Sequence, residues 1–298
     1  MDVERVLVTG VSGPIGAALL PYLESQGARI VRLVRDPADA ADQIMWNPLE
    51  PLSPQAVSGY EAVIHLAGES IAGRWTAAKK KAIRQSRVQG TTHLAAALAK
   101  AQSPPRIFIC ASAIGFYGNR GDELLTESSS SGRGFLPEVT REWEAATRSA
   151  AAAGIRTVNL RIGLVLSARG GALEKMLTPF KLGLGGKIGS GQQWWSWIHV
   201  DDLVGAIHHV FHTASLSGPV NVVAPNPASN AEFTQVLASV LRRPAFFLVP
   251  AFAARLAFGE MADALLLGSE RVQPAKLQAS GFAFRFSELR PALEDLVG

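Results

Sequence analysis

Apolar and polar positions along the chain follow two different periods. Short apolar runs, typical of strands buried on both faces, occur at residues 5–9, 29–34, 62–67, 106–111 and 156–162. Segments with apolar residues at helical spacing lie between them, at residues 15–25, 76–101 and 138–153. Whether the second helix is broken near Gly90 is left open by the pattern. Residues 36–60 predict a loop with one short element. Strands that alternate with helices in this way predict a parallel sheet covered by helices on both faces.

The pattern becomes irregular after about residue 170. Glycines are dense over residues 183–191, and tryptophans follow at positions 194, 195 and 197. Beyond them the spacing predicts two helices and one strand, over 200–213, 231–241 and 219–224. We therefore expect two units. The first is a doubly wound domain of residues 1–165 whose sheet is completed by about 197–224, and the second is a smaller lobe of residues 166–196 and 225–298.

The first strand runs directly into three glycines spaced three apart, Gly10, Gly13 and Gly16, and a helix follows. The first glycine permits a tight turn, the second lets backbone N–H groups approach a pyrophosphate, and the third lets the helix pack close to the strand. The N-terminus of the helix directs partial positive charge toward phosphate groups. This context predicts a dinucleotide site rather than a structural turn. The same turn supplies further expected cofactor contacts, Ser12, Pro14 and Ile15.

The residue after the second strand distinguishes the two nicotinamide coenzymes. An acidic side chain there accepts hydrogen bonds from the adenosine ribose, whereas an arginine pairs with a 2′-phosphate. Here the strand is followed by Arg35, which favours NADP(H). The alternative is that Arg35 is an ordinary surface residue and that Asp36 contacts the ribose.

Composition excludes several classes of function. The 298 residues are 48% hydrophobic and 18% charged, which is typical of a folded globule. The net charge of +4 comes without a long basic run, so no nucleic-acid partner is expected. The single Cys110 excludes an intramolecular disulfide and a cysteine-rich zinc site, and no metal is expected. The sequence shows no signal peptide and no apolar run of membrane-spanning length, which predicts a cytoplasmic protein without a membrane partner.

Several motifs together resemble one protein family. Residues 9–16 (TGVSGPIG), 63–68 (VIHLAG) and 197–202 (WIHVDD) are similar to the extended short-chain dehydrogenase/reductase superfamily. Further blocks resemble its atypical, nucleoside-diphosphate-sugar epimerase-like branch, at residues 86–87, 113–118, 143–146, 170–173, 179–186, 196–199 and 250–286. The last block resembles the branch's own C-terminal extension. The resemblance implies an α/β Rossmann fold, a doubly wound parallel sheet with a smaller C-terminal α/β substrate lobe, and NADP(H) as cofactor.

The resemblance also implies cofactor contacts outside the glycine turn. Three of them follow the third strand, Leu66, Ala67 and Gly68. Gly163 and Val165 belong to a segment that passes beside the nicotinamide in relatives. The resemblance places Arg87 toward the cofactor, where it would contact a phosphate or orient the substrate. The alternative for Arg87 is a surface ion pair.

One departure from the superfamily is plain. Its members use Tyr-x-x-x-Lys, in which the lysine lowers the tyrosine pKa so that the phenol exchanges a proton with the substrate near neutral pH. None of the three tyrosines here is followed by a lysine four residues later. Counted back from Trp143, the usual Tyr and Lys positions hold Leu136 and Thr140. The usual proton relay is therefore missing.

Two residues are candidates to replace that relay. Ser112 follows the fourth strand, where members of the superfamily keep a hydroxyl that hydrogen-bonds the reacting oxygen; the alternative is a turn or cap hydroxyl. Tyr117 lies in the same loop, as a proton donor or as a structural or stacking ring. In the second lobe, Trp195 is expected either to wall a substrate pocket or to belong to the core. His199 is a tentative substrate contact, with a structural histidine as the alternative.

The sequence therefore predicts an NADP(H)-binding, epimerase-like oxidoreductase that acts on a carbonyl or alcohol of a sugar nucleotide or small metabolite. The rival interpretation is a catalytically inactive NADP(H)-binding regulatory or scaffold protein. The missing Tyr-x-x-x-Lys favours the inactive binding protein, and the presence of Ser112 favours the oxidoreductase. A homodimer is left open as a possible assembly.

Overall fold

A computed structural model describes residues 4–36 and 40–298. Its strands, in chain order, are β1 (Arg5–Thr9), β2 (Arg29–Val34), β3 (Gln43–Met45), β4 (Ala62–His65), β5 (Ile107–Ala113), β6 (Leu124–Leu125), β7 (Arg156–Ile162), β8 (Leu164–Leu166), β9 (Gly186–Ile188), β10 (Trp194–Trp195), β11 (Trp197–His199), β12 (Gly218–Val222), β13 (Ala228–Ser229), β14 (Phe247–Val249) and β15 (Arg271–Val272). Its α-helices are α1 (Pro14–Ser25), α2 (Ala77–Ala99), α3 (Phe135–Ala146), α4 (Arg148–Ala152), α5 (Gly171–Lys181), α6 (Val200–His212), α7 (Asn230–Val240), α8 (Ala251–Phe258), α9 (Ala275–Ala279) and α10 (Leu289–Val297).

Seven parallel strands form the central sheet in the order β12-β7-β5-β4-β1-β2-β3. The helices α2, α3 and α4 pack against one another, and α1 packs against α6. The strand order reverses between β1 and β4, which is where ligands bind in open sheets of this kind. The predicted doubly wound Rossmann fold is therefore confirmed.

The sheet is held together by apolar strands that are buried on both faces. Val6, Leu7 and Val8 of β1 are at most 2% exposed, and Phe108 and Ile109 of β5 are fully buried. Burying one such side chain stabilises the fold by about 1.5–3 kcal/mol. The carboxyl ends of the strands thereby lie on a rigid edge that positions the loops described below.

The structure differs from two local expectations and decides one open alternative, the break near Gly90. Residues 36–60 contain two short elements, β3 and a 3₁₀ turn at Pro54–Val57, rather than one. Helix α2 is continuous through Gly90, where a Cβ atom would lie 3.2 Å from the Pro48 side chain, so that glycine serves close packing. The helix expected over 138–153 begins earlier and is divided at Thr147, whose hydroxyl donates to the Glu144 carbonyl and competes with the helical pattern.

The second lobe has its own core and is tied back to the sheet. Trp195, Trp197 and Phe233 are buried in a cluster separate from that of the sheet. The Asp202 carboxylate, on α6, accepts backbone hydrogen bonds from the N–H groups of Arg285 and Phe286 at 2.7 and 2.8 Å. The C-terminal extension is thus fastened to the helix that precedes β12. Within the described residues, every helix is too short or too polar to cross a membrane.

Candidate functional site

The glycine turn between β1 and α1 packs tightly against the end of β4. Gly10 has φ +75°, and a Cβ atom there would lie 2.5 Å from the carbonyl carbon of Leu66. A Cβ at Gly16 would lie 2.6 Å from the Gly10 carbonyl oxygen. At Gly13, by contrast, the nearest protein atom would be 3.5 Å away, which is ordinary contact. Packing within the protein therefore explains two of the glycines, and the third leaves its backbone accessible.

The N-terminus of α1 is aimed along the same edge of the sheet. The helix begins at Pro14 with Gly13 as its N-cap, and no side chain caps it. By helix geometry, the N–H groups of Ile15 and Gly16 have no acceptor within α1. The Pro14 ring contacts Gly170, where a Cβ would lie 2.8 Å from the Pro14 Cγ. An uncapped helix end of this kind suits a phosphate group.

Arg35 and Arg87 bring positive charge to the loop after β4. Arg35 is exposed at the end of β2. The pKa of the Glu69 carboxyl is held below its ordinary value, mainly by a hydrogen bond from Lys79 and to a smaller extent by the charges of Arg35 and Arg87. Both guanidinium groups thus lie within electrostatic reach of that loop. Asp36 is also exposed, so the ribose alternative stays open.

Arg87 is a fixed, partly buried cation. Its Nη1 donates to the Glu69 carbonyl at 2.8 Å, and its Cζ lies 5.0 Å from the ring centroid of Trp143. A Cβ at Gly68 would lie 3.3 Å from the same Cζ. Burial lowers the Arg87 pKa to about 10, so the group stays charged at neutral pH. Its hydrogen bonds go to backbone carbonyls, which disfavours the surface ion pair and keeps the guanidinium beside Gly68.

A buried polar chain connects β1 with α2 and α3. His65 is fully buried, and its Nδ1 and Nε2 lie 2.7 Å from the Thr9 hydroxyl and 3.0 Å from the Thr91 hydroxyl. The Trp143 indole N–H donates to Thr91 at 2.9 Å. Each hydroxyl can donate to or accept from the ring nitrogen beside it, and an imidazole with one protonated nitrogen satisfies both contacts, so we assign a neutral ring. Burial lowers the His65 pKa to about 4, in agreement with that assignment.

Ser112 lies at the carboxyl end of β5 and is 4% exposed. Its hydroxyl donates to Oε1 of Glu144, on α3, at 2.7 Å. The same carboxylate receives two hydrogen bonds from Arg161, Nε to Oε1 at 2.8 Å and Nη2 to Oε2 at 2.9 Å. Arg161 is paired in register with Ser112 on the neighbouring strand β7. The three groups form a buried serine–carboxylate–guanidinium cluster at the edge where ligands bind in such sheets.

Tyr117 belongs to the same network and lies in the protein interior. Its hydroxyl lies within hydrogen-bond distance of the Thr126 carbonyl and of Asn221 Oδ1, at 2.9 and 2.7 Å, and accepts from Arg161 Nη1 at 3.0 Å. The ring is fully buried. Burial raises the Tyr117 pKa, against the opposing effect of Arg161. This placement favours the structural ring over the proton donor. At the usual relay positions, the Thr140 hydroxyl only bonds back to the Leu136 carbonyl, at 2.7 Å.

The segment expected beside the nicotinamide runs between the two lobes. A Cβ at Gly163 would lie 2.5 Å from the Ser196 carbonyl oxygen, so close backbone approach requires this glycine. Val165 is paired with Ile198 through β8 and β11. The other second-lobe candidate, Trp195, is 8% exposed and packs edge-on against Phe233 at 5.4 Å. The core alternative is therefore favoured for Trp195.

His199 is not brought to the candidate site. It is 1% exposed, its ring stacks on Phe286 at 4.0 Å, and its Nδ1 accepts the N–H of Asp201 as the N-cap of α6. Asp201 and Asp295 lie close to the ring, so that three potential metal ligands are grouped. Arg285 already donates to both carboxylates, at 2.9 and 3.4 Å. A guanidinium occupies the place of a cation there, and His199 is a structural residue.

Sequence reasoning missed the partners of Ser112 and Tyr117, which are Glu144 and Asn221 respectively. Glu144 and Asn221 come from segments remote in the chain, although a lone arginine, Arg161, within an apolar strand was a signal that a buried counter-charge must exist. It also missed Glu270, whose carboxyl has a pKa raised to about 8 by burial. The backbone of Glu270 is held by Ser196, whose hydroxyl donates to its carbonyl at 2.7 Å. A second carboxyl group, whose pKa is raised by burial, therefore lies near the junction of the lobes.

Comparison with known proteins identifies the relatives of this chain. The model for the NAD dependent epimerase/dehydratase family matches residues 6–224, and a domain of unknown function (DUF1731) matches residues 249–296. Epimerase family protein Mb2239 of Mycobacterium bovis is 40% identical over 290 residues, which are 97% of this chain and 96% of that protein.

Two solved structures are similar as well. The human epimerase family protein SDR39U1, crystallised with NADPH, superposes with a TM-score of 0.90 at 35% identity, covering 98% of this chain and 99% of that one. The nucleoside-diphosphate sugar epimerase from Corynebacterium glutamicum gives a TM-score of 0.84 at 38% identity, covering 100% of this chain and 59% of that one. These matches confirm the resemblance drawn from the motifs, including the C-terminal extension. The chain belongs to the NAD dependent epimerase/dehydratase family.

Proposed function

We propose that this protein binds NADP(H) across the glycine turn and the end of β4. The accessible backbone at Gly13 and the uncapped start of α1 suit a pyrophosphate. Arg35, exposed at the end of β2, suits the 2′-phosphate, and the buried cation Arg87 suits a nearby phosphate or the substrate. The NADPH in the crystal structure of the human relative supports the same coenzyme here.

We further propose that the protein is an oxidoreductase that acts on an alcohol or carbonyl group of a sugar nucleotide or small metabolite. The nicotinamide, when bound, supplies or accepts the hydride. The protein must then move a proton at the reacting oxygen, and the observation that carries the proposal is the hydrogen bond from Ser112 to Glu144. This pair is our candidate for the proton relay in place of the missing tyrosine and lysine.

The roles within the cluster follow from donor and acceptor chemistry. An ionised carboxylate only accepts hydrogen bonds, so Glu144 fixes the Ser112 hydroxyl as the donor and leaves lone pairs on its Oγ. Those lone pairs accept a proton from a substrate hydroxyl as the Ser112 proton passes to Glu144. The reverse transfer serves reduction. Arg161 holds the carboxylate in place with two hydrogen bonds, and Phe116, whose ring centroid is 3.5 Å from its Cζ, covers the guanidinium.

The test combines binding and turnover on the whole protein. Calorimetry with NADPH and NADH measures coenzyme binding, and a panel of sugar nucleotides and small carbonyls measures NADPH oxidation. Ser112→Ala and Glu144→Gln are expected to lose turnover by about 100-fold or more while keeping NADPH affinity. Ser149→Ala, an exposed serine on α4, is the matched control and keeps both. Tight NADPH binding without turnover on any substrate would instead support the inactive binder, and binding of neither coenzyme would refute the whole proposal.

A further inference from the structure

The second lobe carries an unusually large apolar surface. Its members are large hydrophobic side chains that are more than a third exposed, Leu182, Leu184, Phe246, Phe247, Leu248, Val249, Phe252, Leu256 and Phe258. We call these residues the apolar face. Phe246 is 91% exposed, and Phe252 and Leu256 are 71% and 74% exposed. Soluble proteins rarely expose large contiguous apolar patches unless these contact a partner or a membrane.

The apolar face is continuous because its two segments run side by side. β9 and β14 pair in parallel, with Gly186 opposite Phe247 and Lys187 opposite Leu248. A Cβ at Gly183 would lie 3.6 Å from the Pro244 ring, which brings the Leu182 loop beside Phe246. Helix α8 follows β14 directly. The exposed residues therefore form one surface rather than scattered positions.

Helix α8 presents its apolar side outward. Phe252 and Leu256 are four residues apart and share one side of the helix. Ala254, on another side, is only 2% exposed and packs against the protein. The C-terminal end of the helix is held by Arg74, whose Nη1 donates to the Leu256 carbonyl at 3.1 Å. The two large side chains are thus displayed by a fixed element rather than by a loose terminus.

Positive charge surrounds the apolar face. Lys181, Lys187, Arg242 and Arg243 are all exposed, and none of them forms an ion pair with any described residue. The sequence over 175–191 and 239–259 contains neither aspartate nor glutamate. Arg255, on α8, is the exception among the cations, because it pairs with Asp263 at 2.8 Å. The surface therefore combines apolar area with uncompensated positive charge.

We propose that the apolar face attaches this protein reversibly to a membrane surface that carries anionic lipids. Exposed aromatic and leucine side chains enter the boundary between headgroups and acyl chains, while lysine and arginine pair with anionic headgroups. A second copy of this chain is a poorer partner, since self-association would bring the four free cations against one another without a counter-charge. The earlier expectation of no membrane partner rested on the lack of a spanning segment, which peripheral attachment does not need.

The experiment measures cosedimentation of the whole protein with lipid vesicles. Vesicles of phosphatidylcholine alone are compared with vesicles that also contain phosphatidylglycerol, at low and high salt. Binding to the anionic vesicles is expected, weakened by salt, with little binding to phosphatidylcholine. The double variant Phe252→Ser/Leu256→Ser and the double variant Lys187→Glu/Arg243→Glu are each expected to lose about tenfold or more in binding. All four residues are exposed, so a thermal melt by circular dichroism should match the parent.

Two controls test the location of the surface. Met45→Ser removes a side chain that is 63% exposed on β3, outside the apolar face, and Lys81→Glu reverses an exposed charge on α2. Both are expected to bind anionic vesicles like the parent. Equal binding by the Phe252→Ser/Leu256→Ser variant, or no binding by the parent, would overturn the proposal. A dimer seen by light scattering that this variant loses, without vesicle binding, would assign the face to a second copy instead.

Discussion

The two ends of the candidate site are built in different ways. The glycine turn is formed by the backbone, and Gly10 and Gly16 are required there because carbonyl groups lie where a Cβ atom would stand. The site at the carboxyl ends of β5 and β7 is formed by side chains. Ser112, Glu144 and Arg161 come from three different elements and form hydrogen bonds with one another there. The first arrangement occupies seven consecutive residues. The second includes the hydrogen bond between Tyr117 and Asn221, which are 104 residues apart in the chain.

This difference explains which amino-acid substitutions each end of the site can tolerate. A backbone turn tolerates no substitution at its close approaches, but it leaves the chemistry to the ligand that it binds. A side-chain network can be rebuilt with other residue types as long as every buried polar group keeps a partner. Here the Tyr-x-x-x-Lys positions hold Leu136 and Thr140, while Glu144, on the same helix, is held by Arg161 and bonded to Ser112. The glycine turn keeps the superfamily pattern, and the side-chain cluster at β5 and β7 departs from it.

The largest effect is expected at the turn. Gly10→Ala adds a Cβ 2.5 Å from the Leu66 carbonyl carbon at φ +75°, and we expect a loss of about 5 kcal/mol or more in the free energy of unfolding. Gly27→Ala is the matched control, because Gly27 has φ +87° but no atom within 4 Å of its Cβ position. The control is expected to cost about 1 kcal/mol from the backbone alone. Urea unfolding measures both, and equal losses would show that the close approach to β4 is unimportant.

The next effect is expected in the side-chain network. Arg161→Met leaves the Glu144 carboxylate buried without its cation, which should cost about 3–5 kcal/mol. The double variant Arg161→Met/Glu144→Met removes both charges and is expected to recover much of that loss. Urea unfolding of the two single variants and the double variant gives the coupling free energy. If the losses of the two single variants add up to the loss of the double variant, the two side chains do not interact, contrary to the geometry.

Much of the fold and of the turn could be predicted from the sequence, because both depend on local pattern. The strand and helix periods located the first five long strands of the sheet, and the spacing of Gly10, Gly13 and Gly16 located the turn. Thr147 shows the limit of such reasoning: one hydroxyl bonded to a preceding carbonyl divides a helix that the apolar pattern predicted as continuous.

The side-chain cluster around Ser112 could be predicted only in part. The position of Ser112 followed from its place after an apolar strand, but its partner Glu144 lies 32 residues away on a helix. No spacing rule connects two such residues, since only the packing of α3 against β5 brings them together. Tyr117 and His199 illustrate an ambiguity that the sequence leaves open, because residue types that suit catalysis also serve as buried structural groups. Burial and hydrogen-bond partners distinguish those roles, and neither can be read from the sequence.

A pH dependence should reveal the buried chain that connects the two ends. The His65 pKa is lowered to about 4 in the folded protein, whereas an unfolded histidine titrates near 6.5. His65 therefore contributes stability that is fully present above pH 6.5 and is lost as the pH falls through 4. We expect the parent to lose about 2–3 kcal/mol more than His65→Gln over this range. Urea unfolding at several pH values measures the difference, and parallel curves would contradict a neutral, buried ring.

The smallest effect, at the exposed edge of the turn, decides between two alternatives that the fold leaves open. If Arg35 pairs with a 2′-phosphate, Arg35→Gln should weaken NADPH binding by about tenfold and leave NADH binding unchanged, because an exposed charge-assisted pair contributes only about 1–2 kcal/mol. If Asp36 instead accepts hydrogen bonds from the ribose, Asp36→Asn should weaken NADH binding and Arg35→Gln should change neither. Calorimetry of both variants with both coenzymes separates the cases. The backbone of the turn is common to either outcome, so a loss of binding to both coenzymes by Arg35→Gln would mean that this side chain shapes the turn itself.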